Sequence, residues 1–158
     1  MVSVEELKKI FLMEKLTEPM LTKLAREAEL RVHEERDFII REGQPAREFM
    51  MLRSGKLVLK VEASESLTIS LGAIKPGFSL GWSALIQGRN YTSSAVCTEK
   101  SEVFAVQGEA LQGMMEEDHQ MGYLMFQGVT GILENRLERR TRQFLKTLTR
   151  HINLESIL

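Results

Sequence analysis

The hydrophobic period of this chain changes twice, and that double change restricts the fold more than any single motif. From Ser3 to about Glu29, apolar residues return at helical spacing: Leu7, Ile10, Phe11 and Leu16, then Met20, Leu21, Leu24 and Ala28. Ser3 followed by Glu6 is a capping-box pattern, and Pro19 suits the first turn of a second short helix. From about Leu30 to Gln107 the runs shorten and become rich in β-branched and aliphatic residues: "ELRVHEE", "DFIIREG", "EFMMLRSGKLVLKVEA", "LTISLGAIKPG", "SSAVCTEK" and "EVFAVQ". In "KLVLKVE", Leu57, Leu59 and Val61 alternate with Lys56, Val58 and Lys60, which gives one mostly apolar face. Glu42-Gly43, Ser54-Gly55, Gly72 and Pro76-Gly77 punctuate these runs as turns. Strands this short and closely spaced predict an antiparallel sandwich or roll.

From Gly108 onward the period is helical again. A short helix is expected around Glu109 to Glu117. Phe126, Val129, Leu133, Leu137, Phe144 and Leu148 then form a stripe spaced by threes and fours, with Thr141 bridging its longest gap. That stripe predicts one amphipathic helix from about Gln120 to His151. The expected class is α+β, mainly β: a jelly-roll-like antiparallel β-roll with N-terminal helices and a long C-terminal helix. It is read as one domain over 1–158, with zones 1–29, 30–107 and 108–158.

Composition removes several classes of function. The net charge of −1 gives no global basic field to attract nucleic acid. Cys97 is the single cysteine, which rules out a disulfide framework, a cysteine zinc site and a four-cysteine cluster. In the strand-like "SAVC" it reads as a small buried hydrophobe rather than a sensor thiol. His33, His119 and His151 share no metal-ligand spacing, and an axial haem role for one of them is the weaker reading. The nine methionines read as core filling more readily than as a binding surface. No nucleophile–base–acid pattern, paired carboxylates or metal signature appears, so a non-enzymatic protein is expected. The N-terminus is charged within five residues and no apolar run approaches spanning length, so the expectation is a cytoplasmic protein without a membrane partner.

"PGFSLGWSALIQGRNYTSS", Pro76 to Ser94, has the outline of a loop, a short helix and a hydroxyl-rich return, as phosphate-holding segments do. Yet it contains no carboxylate, and Arg89 is its one cation. A second charged feature lies on the long helix. Arg136, Arg139, Arg140, Arg142, Lys146 and Arg150 stand against Glu134 and Glu138. The ordinary reading is a solvated face that complements the helix dipole; the functional one is a dock for an acidic partner or for an anionic ligand entering from the side of the Pro76–Ser94 segment.

The order of these zones resembles the cyclic-nucleotide-binding domain of the catabolite-activator superfamily. "IIREGQPAREFMMLRSGKLVL" is similar to that family's Glu-Gly turn and strand–Ser-Gly–strand hairpin. "LGAIKPGFSLGWSAL" is similar to its entry into the phosphate-binding cassette. The resemblance implies ligand contacts from Gly81, Trp82, Ser83, Ala84, Leu85, Arg89, Tyr91, Thr92, Ser93 and Ser94. In the family, the cassette glycine is followed by a Glu that takes the ribose hydroxyl, and an Arg further on pairs the cyclic phosphate. Here Trp82 stands at the Glu position and Tyr91 or Thr92 at the Arg position. A charge-assisted hydrogen bond is worth roughly 1.5–3 kcal/mol. Loss of the Arg alone therefore costs about one to two decades of affinity.

Cyclic AMP and cyclic GMP are accordingly expected to bind only weakly, with Trp82 filling the ribose space. The N–H groups of Ser83 and Ala84 and the hydroxyls of Thr92, Ser93 and Ser94 would remain for a small anion. The resemblance also implies a parallel homodimer along the long helix, through Phe126, Val129, Leu133, Leu137, Phe144 and Leu148. Only "HINLESIL" follows Arg150, so a DNA-reading helix-turn-helix and sequence-specific DNA binding are not expected. Two functions follow: a stand-alone sensor module with an altered ligand pocket, or a ligand-free dimer that docks on a protein partner through its basic helix.

Overall fold

The computed structural model describes residues 2–155, with side chains described from residue 2 to residue 150; the expectation for the His151 side chain falls outside these. At the N-terminus, Ser3 and Glu6 form both bonds of the capping box and start α1 (Val4–Leu7). The apolar run does not continue as one helix. The Ile10 N–H donates to Leu7 O, whereas the Phe11 N–H leaves the segment and donates to Gly77 O at 2.9 Å. The chain therefore tightens into a 3-10 turn, Phe11–Met13. Leu7, Ile10, Leu12, Met13 and Leu16 are all buried in this compact arrangement. Next, α2 (Glu18–Glu27) carries Pro19 in its first turn and buries Met20, Leu21, Leu24 and Ala25.

Eight strands follow: β1 (Glu29–His33), β2 (Phe38–Ile40), β3 (Glu48–Ser54), β4 (Leu57–Ser64), β5 (Leu67–Ile74), β6 (Ser79–Leu80), β7 (Ser94–Cys97) and β8 (Ser101–Gln107). They pair antiparallel in two four-stranded sheets, in the orders β1-β8-β3-β6 and β2-β7-β4-β5. The expected α+β roll is present. The segment β6 escaped the sequence reading because two residues cannot show a period.

Alternation builds two cores. Met50, Leu52, Val103 and Ala105 cluster with Ile40, Leu57, Leu59, Ile74, Ala95 and Cys97 between the sheets. Phe49, Met51, Phe104 and Val106 are also buried. By alternation they point to the other face of their sheet, against which α2 packs. Met13, Met20, Met50, Met51, Met115, Met121 and Met125 are buried, so these methionines fill core space. Cys97 is buried as well, and burial pushes its thiol pKa up, away from reactivity.

The β3–β4 turn depends on Gly55, whose φ is +87°. A Cβ at this position would lie 2.6 Å from both Lys100 O and Ser101 Cα. Gly55→Ala is therefore expected to lose about 2–4 kcal/mol of stability, from left-handed strain plus the clash with fixed backbone. Urea denaturation measures this, and an unchanged midpoint would contradict the turn geometry.

After β8 come α3 (Gly108–Glu117) and α4 (His119–Glu155). The chain divides into two compact units, 1–125 and 126–158, with α4 entering both. Among the described residues no helix is long and apolar enough to cross a membrane. Nor does any group of three or more His, Cys, Asp or Glu among them suit a metal ion.

Candidate functional site

The segment Pro76–Ser94 leaves β5, forms β6, turns, and returns to β7. Gly81 starts the turn at φ 77° and ψ 27°, a left-handed conformation that glycine enters at no steric cost. A Cβ on Gly81 would lie 2.7 Å from Glu48 O, 3.4 Å from Ile40 Cδ1 and 3.5 Å from Tyr91 Cε1. Parts of β2, β3 and the returning chain thus close on this glycine.

Trp82–Leu85 form a single 3-10 turn. The expected use of the Ala84 N–H for an anion meets a competitor, because that N–H donates to Gly81 O at 3.0 Å. Ala84 and Leu85 are buried, so their side chains serve packing. Gln112 Nε2 on α3 donates to Ala84 O at 2.7 Å and ties the turn down. Ser83 is half-buried.

Trp82 is half-buried and its indole N–H donates to the Oγ of buried Ser79 at 3.0 Å. The ring that packs against the inter-sheet cluster is Tyr91, together with Ile39 and Leu71. Tyr91 also borders the space beside Gly81, its Cε1 lying 3.5 Å from where a Cβ on that glycine would stand. Of the two candidates for the Arg position, Tyr91 turns inward and Thr92 is exposed.

The Tyr91 hydroxyl accepts from the Glu48 N–H at 3.0 Å and donates to Glu48 O at 2.8 Å. Burial raises the phenol pKa, so the group keeps the proton it donates. Glu48 is in turn held by its carboxylate: Arg31 grips it with two nitrogens at 2.7 and 2.8 Å, and Gln107 Nε2 donates at 2.6 Å. Tyr91→Phe should therefore cost about 1–2 kcal/mol, since a half-buried backbone pair loses its partner. Thermal unfolding of this variant is the check; no change would mean the bond adds nothing net.

The return is zipped to the Glu-Gly turn. Gly43 N–H donates to Tyr91 O, Tyr91 N–H to Gln44 O and Ala46 N–H to Arg89 O, each at 2.9 Å. The Ser94 hydroxyl accepts from the Glu42 N–H at 2.9 Å. Ser93 is half-buried, and the side chain of Arg89 is exposed. Sequence reading missed Arg31, Glu48, Ser79, Gln107 and Gln112. Their partners lie on other elements, so no local pattern marks them, except Ser79 three residues before Trp82.

On α4, Phe126, Leu133, Leu137, Phe144 and Leu148 are exposed by 41–68%, whereas Val129 is buried at 6%. Arg139, Arg140, Arg142, Lys146 and Arg150 are exposed, and Arg142 pairs with Glu138 at 3.1 Å.

The profile of the cyclic nucleotide-binding domain family matches residues 30–118. No curated protein shows a match to the chain. Among solved structures, the chain is similar to a protein from Geobacter metallireducens described as cyclic nucleotide-binding. Identity is 27%, with 87% of this chain and 99% of that chain covered and a TM-score of 0.77. A cyclic nucleotide-binding domain from Methylobacillus flagellatus gives a TM-score of 0.78 over 91% of this chain and 81% of that chain, at 14% identity. The sensor domain of the transcriptional regulator DNR from Pseudomonas aeruginosa gives 0.70 over 85% and 90%, at 18% identity. The last two speak to the fold alone.

Proposed function

The chain belongs to the cyclic nucleotide-binding domain family, and from that premise we propose a non-enzymatic regulatory sensor module with an altered small-ligand pocket. Cyclic AMP and cyclic GMP are poor ligands on this reading. The observation that carries it is the seat of Tyr91. An uncharged phenol turns inward where the resemblance calls for a guanidinium, and its hydroxyl is bonded on both sides to the Glu48 backbone. The ribose acceptor is replaced by Trp82, whose one donor is committed to Ser79. What stays available for a small anion is Thr92, Ser93 and the exposed Arg89 at the rim. A modest-affinity carboxylate or phosphate suits that set better than a cyclic nucleotide.

A thermal-shift panel of cyclic nucleotides, linear nucleotides, phosphate and small carboxylates tests this, because a ligand specific for the folded state raises Tm by mass action. At about 100 µM neither cyclic nucleotide should raise Tm by more than about 1–2 °C, while at least one other anion should raise it further. A rise of several degrees with cyclic AMP would overturn the reading.

The exposed stripe and basic residues of α4 favour a second reading: a ligand-free dimer that docks on an acidic partner through this helix. It becomes the better one if no member of the panel shifts Tm.

A further inference from the structure

We propose that the exposed aromatic pair Phe11–Phe78, flanked by Lys9 and Lys75, is a docking site for a protein segment carrying an apolar side chain beside carboxylates. The inference is independent of what the cassette binds. Phe11 is 57% exposed and Phe78 38%. Their ring centroids are 4.8 Å apart, with the planes tilted by 58°. Every other apolar residue from Leu7 to Leu16 is buried, so Phe11 is the one this compact turn displays.

The pair is held rather than loose. The Phe11 N–H donates to Gly77 O, Gly77 N–H to Leu52 O and Leu52 N–H to Phe78 O, each at 2.9 Å. Phe78 N–H closes the turn onto Lys75 O at 3.2 Å. Both rings thus stand on backbone fastened to β3, an interior strand of its sheet. Gly77 has φ +90°, and a Cβ there would come within 3.0 and 3.3 Å of two Phe11 ring carbons and 3.2 Å of Lys9 O. The turn is built so that the Phe11 ring can lie across it. Aromatic side chains fixed in advance lose little freedom on binding, which is what a docking anchor needs.

Charge selects the partner. Lys9 and Lys75 are exposed, two and three residues from the rings, and neither forms an ion pair among the described residues. Nearby charges are already matched: Lys8 with Glu5 at 2.7 Å, and Arg53 with Glu6 at 2.6 Å and Glu102 at 3.1 Å. Lys9 also acts on the Glu6 carboxylate from beyond ion-pair distance, and the two exposed ammonium groups beside a fixed apolar pair suit carboxylates flanking an apolar side chain. An anionic bilayer fits less well, because a broad flat surface would also meet exposed Glu14 and Glu18, whereas a short segment need touch only the rings and the two lysines. A second copy would bring lysines to lysines.

The probe is a hexapeptide, acetyl-Glu-Asp-Leu-Phe-Glu-Asp-amide, titrated into isotope-labelled protein and followed by amide chemical shifts. A control peptide carries Lys at the four acidic positions. The acidic peptide should shift Phe11, Gly77 and Phe78 together, and the control should not. Phe78→Ser, and separately Lys9→Glu with Lys75→Glu, should each weaken binding about tenfold or more. If Phe78→Ser loses its dispersed spectrum, the lysine variant decides, since both lysines are exposed. The proposal is overturned by scattered or absent shifts, or by unchanged affinity in the lysine variant. It is equally overturned if phosphatidylglycerol vesicles shift these amides and the peptide does not, or if wild-type self-association disappears in Phe78→Ser.

Discussion

Trp82→Glu combined with Tyr91→Arg is expected to tighten cyclic AMP binding by about two to four decades before structural costs, because each change restores one charged hydrogen-bonding partner worth about one to two decades. The two substitutions act on different parts of the ligand. The new carboxylate can accept from a ribose hydroxyl, and the guanidinium can pair a cyclic phosphate with two nitrogens. Tyr91 is the position to change because its ring already points inward and borders Gly81. The gain has a structural cost, since the phenol's two bonds to Glu48 are lost. The variant's unfolding curve must therefore be recorded beside its calorimetric titration. Trp82→Glu with Thr92→Arg is the control. Thr92 is exposed, so an arginine there should gain much less. A larger gain in the Thr92 version would move the phosphate position by one residue. No gain in either, with the fold intact, would mean that the cassette backbone has itself diverged.

We propose that the exposed stripe of α4 joins two copies, and on that proposal Leu137→Glu should give monomers. Leu137 lies mid-stripe on α4 and is 68% exposed. A fully buried leucine contributes about 1.5–3 kcal/mol, and a twofold seam buries two copies. Losing both weakens association by roughly two to four decades, before the cost of placing two carboxylates in an apolar seam. Sedimentation velocity reads this directly. A wild-type protein that is monomeric at roughly 50 µM would contradict the dimer, whatever the variant does.

The parts of the molecule that were legible in the sequence are those whose physics is local. The Ser3–Glu6 box, Pro19 and the first two members of the Leu57–Leu59–Val61 alternation each work within a few residues and appear as read, whereas Val61 is half-buried and lies outside the inter-sheet cluster. The long apolar stripe likewise marked α4, although burial of Val129 shows that spacing does not say which member is covered. The break after α1 was not legible, because the partner that captures the Phe11 N–H is Gly77, sixty-six positions away. The candidate site divides in the same way. Gly81 and the short turn were visible as a motif. That Tyr91 borders the glycine depends on the register of the return against Gly43–Ala46, and the Arg31–Glu48–Gln107 cluster joins three strands. No window of sequence contains either arrangement.

Calorimetric titration of the wild-type protein with cyclic AMP tests the altered-pocket claim most directly. The expected result is a Kd no tighter than about 100 µM, a binding free energy near −5.5 kcal/mol. A stoichiometric low-micromolar Kd would contradict it, since neither Tyr91 nor Trp82 offers the charge that such affinity for a cyclic phosphate requires.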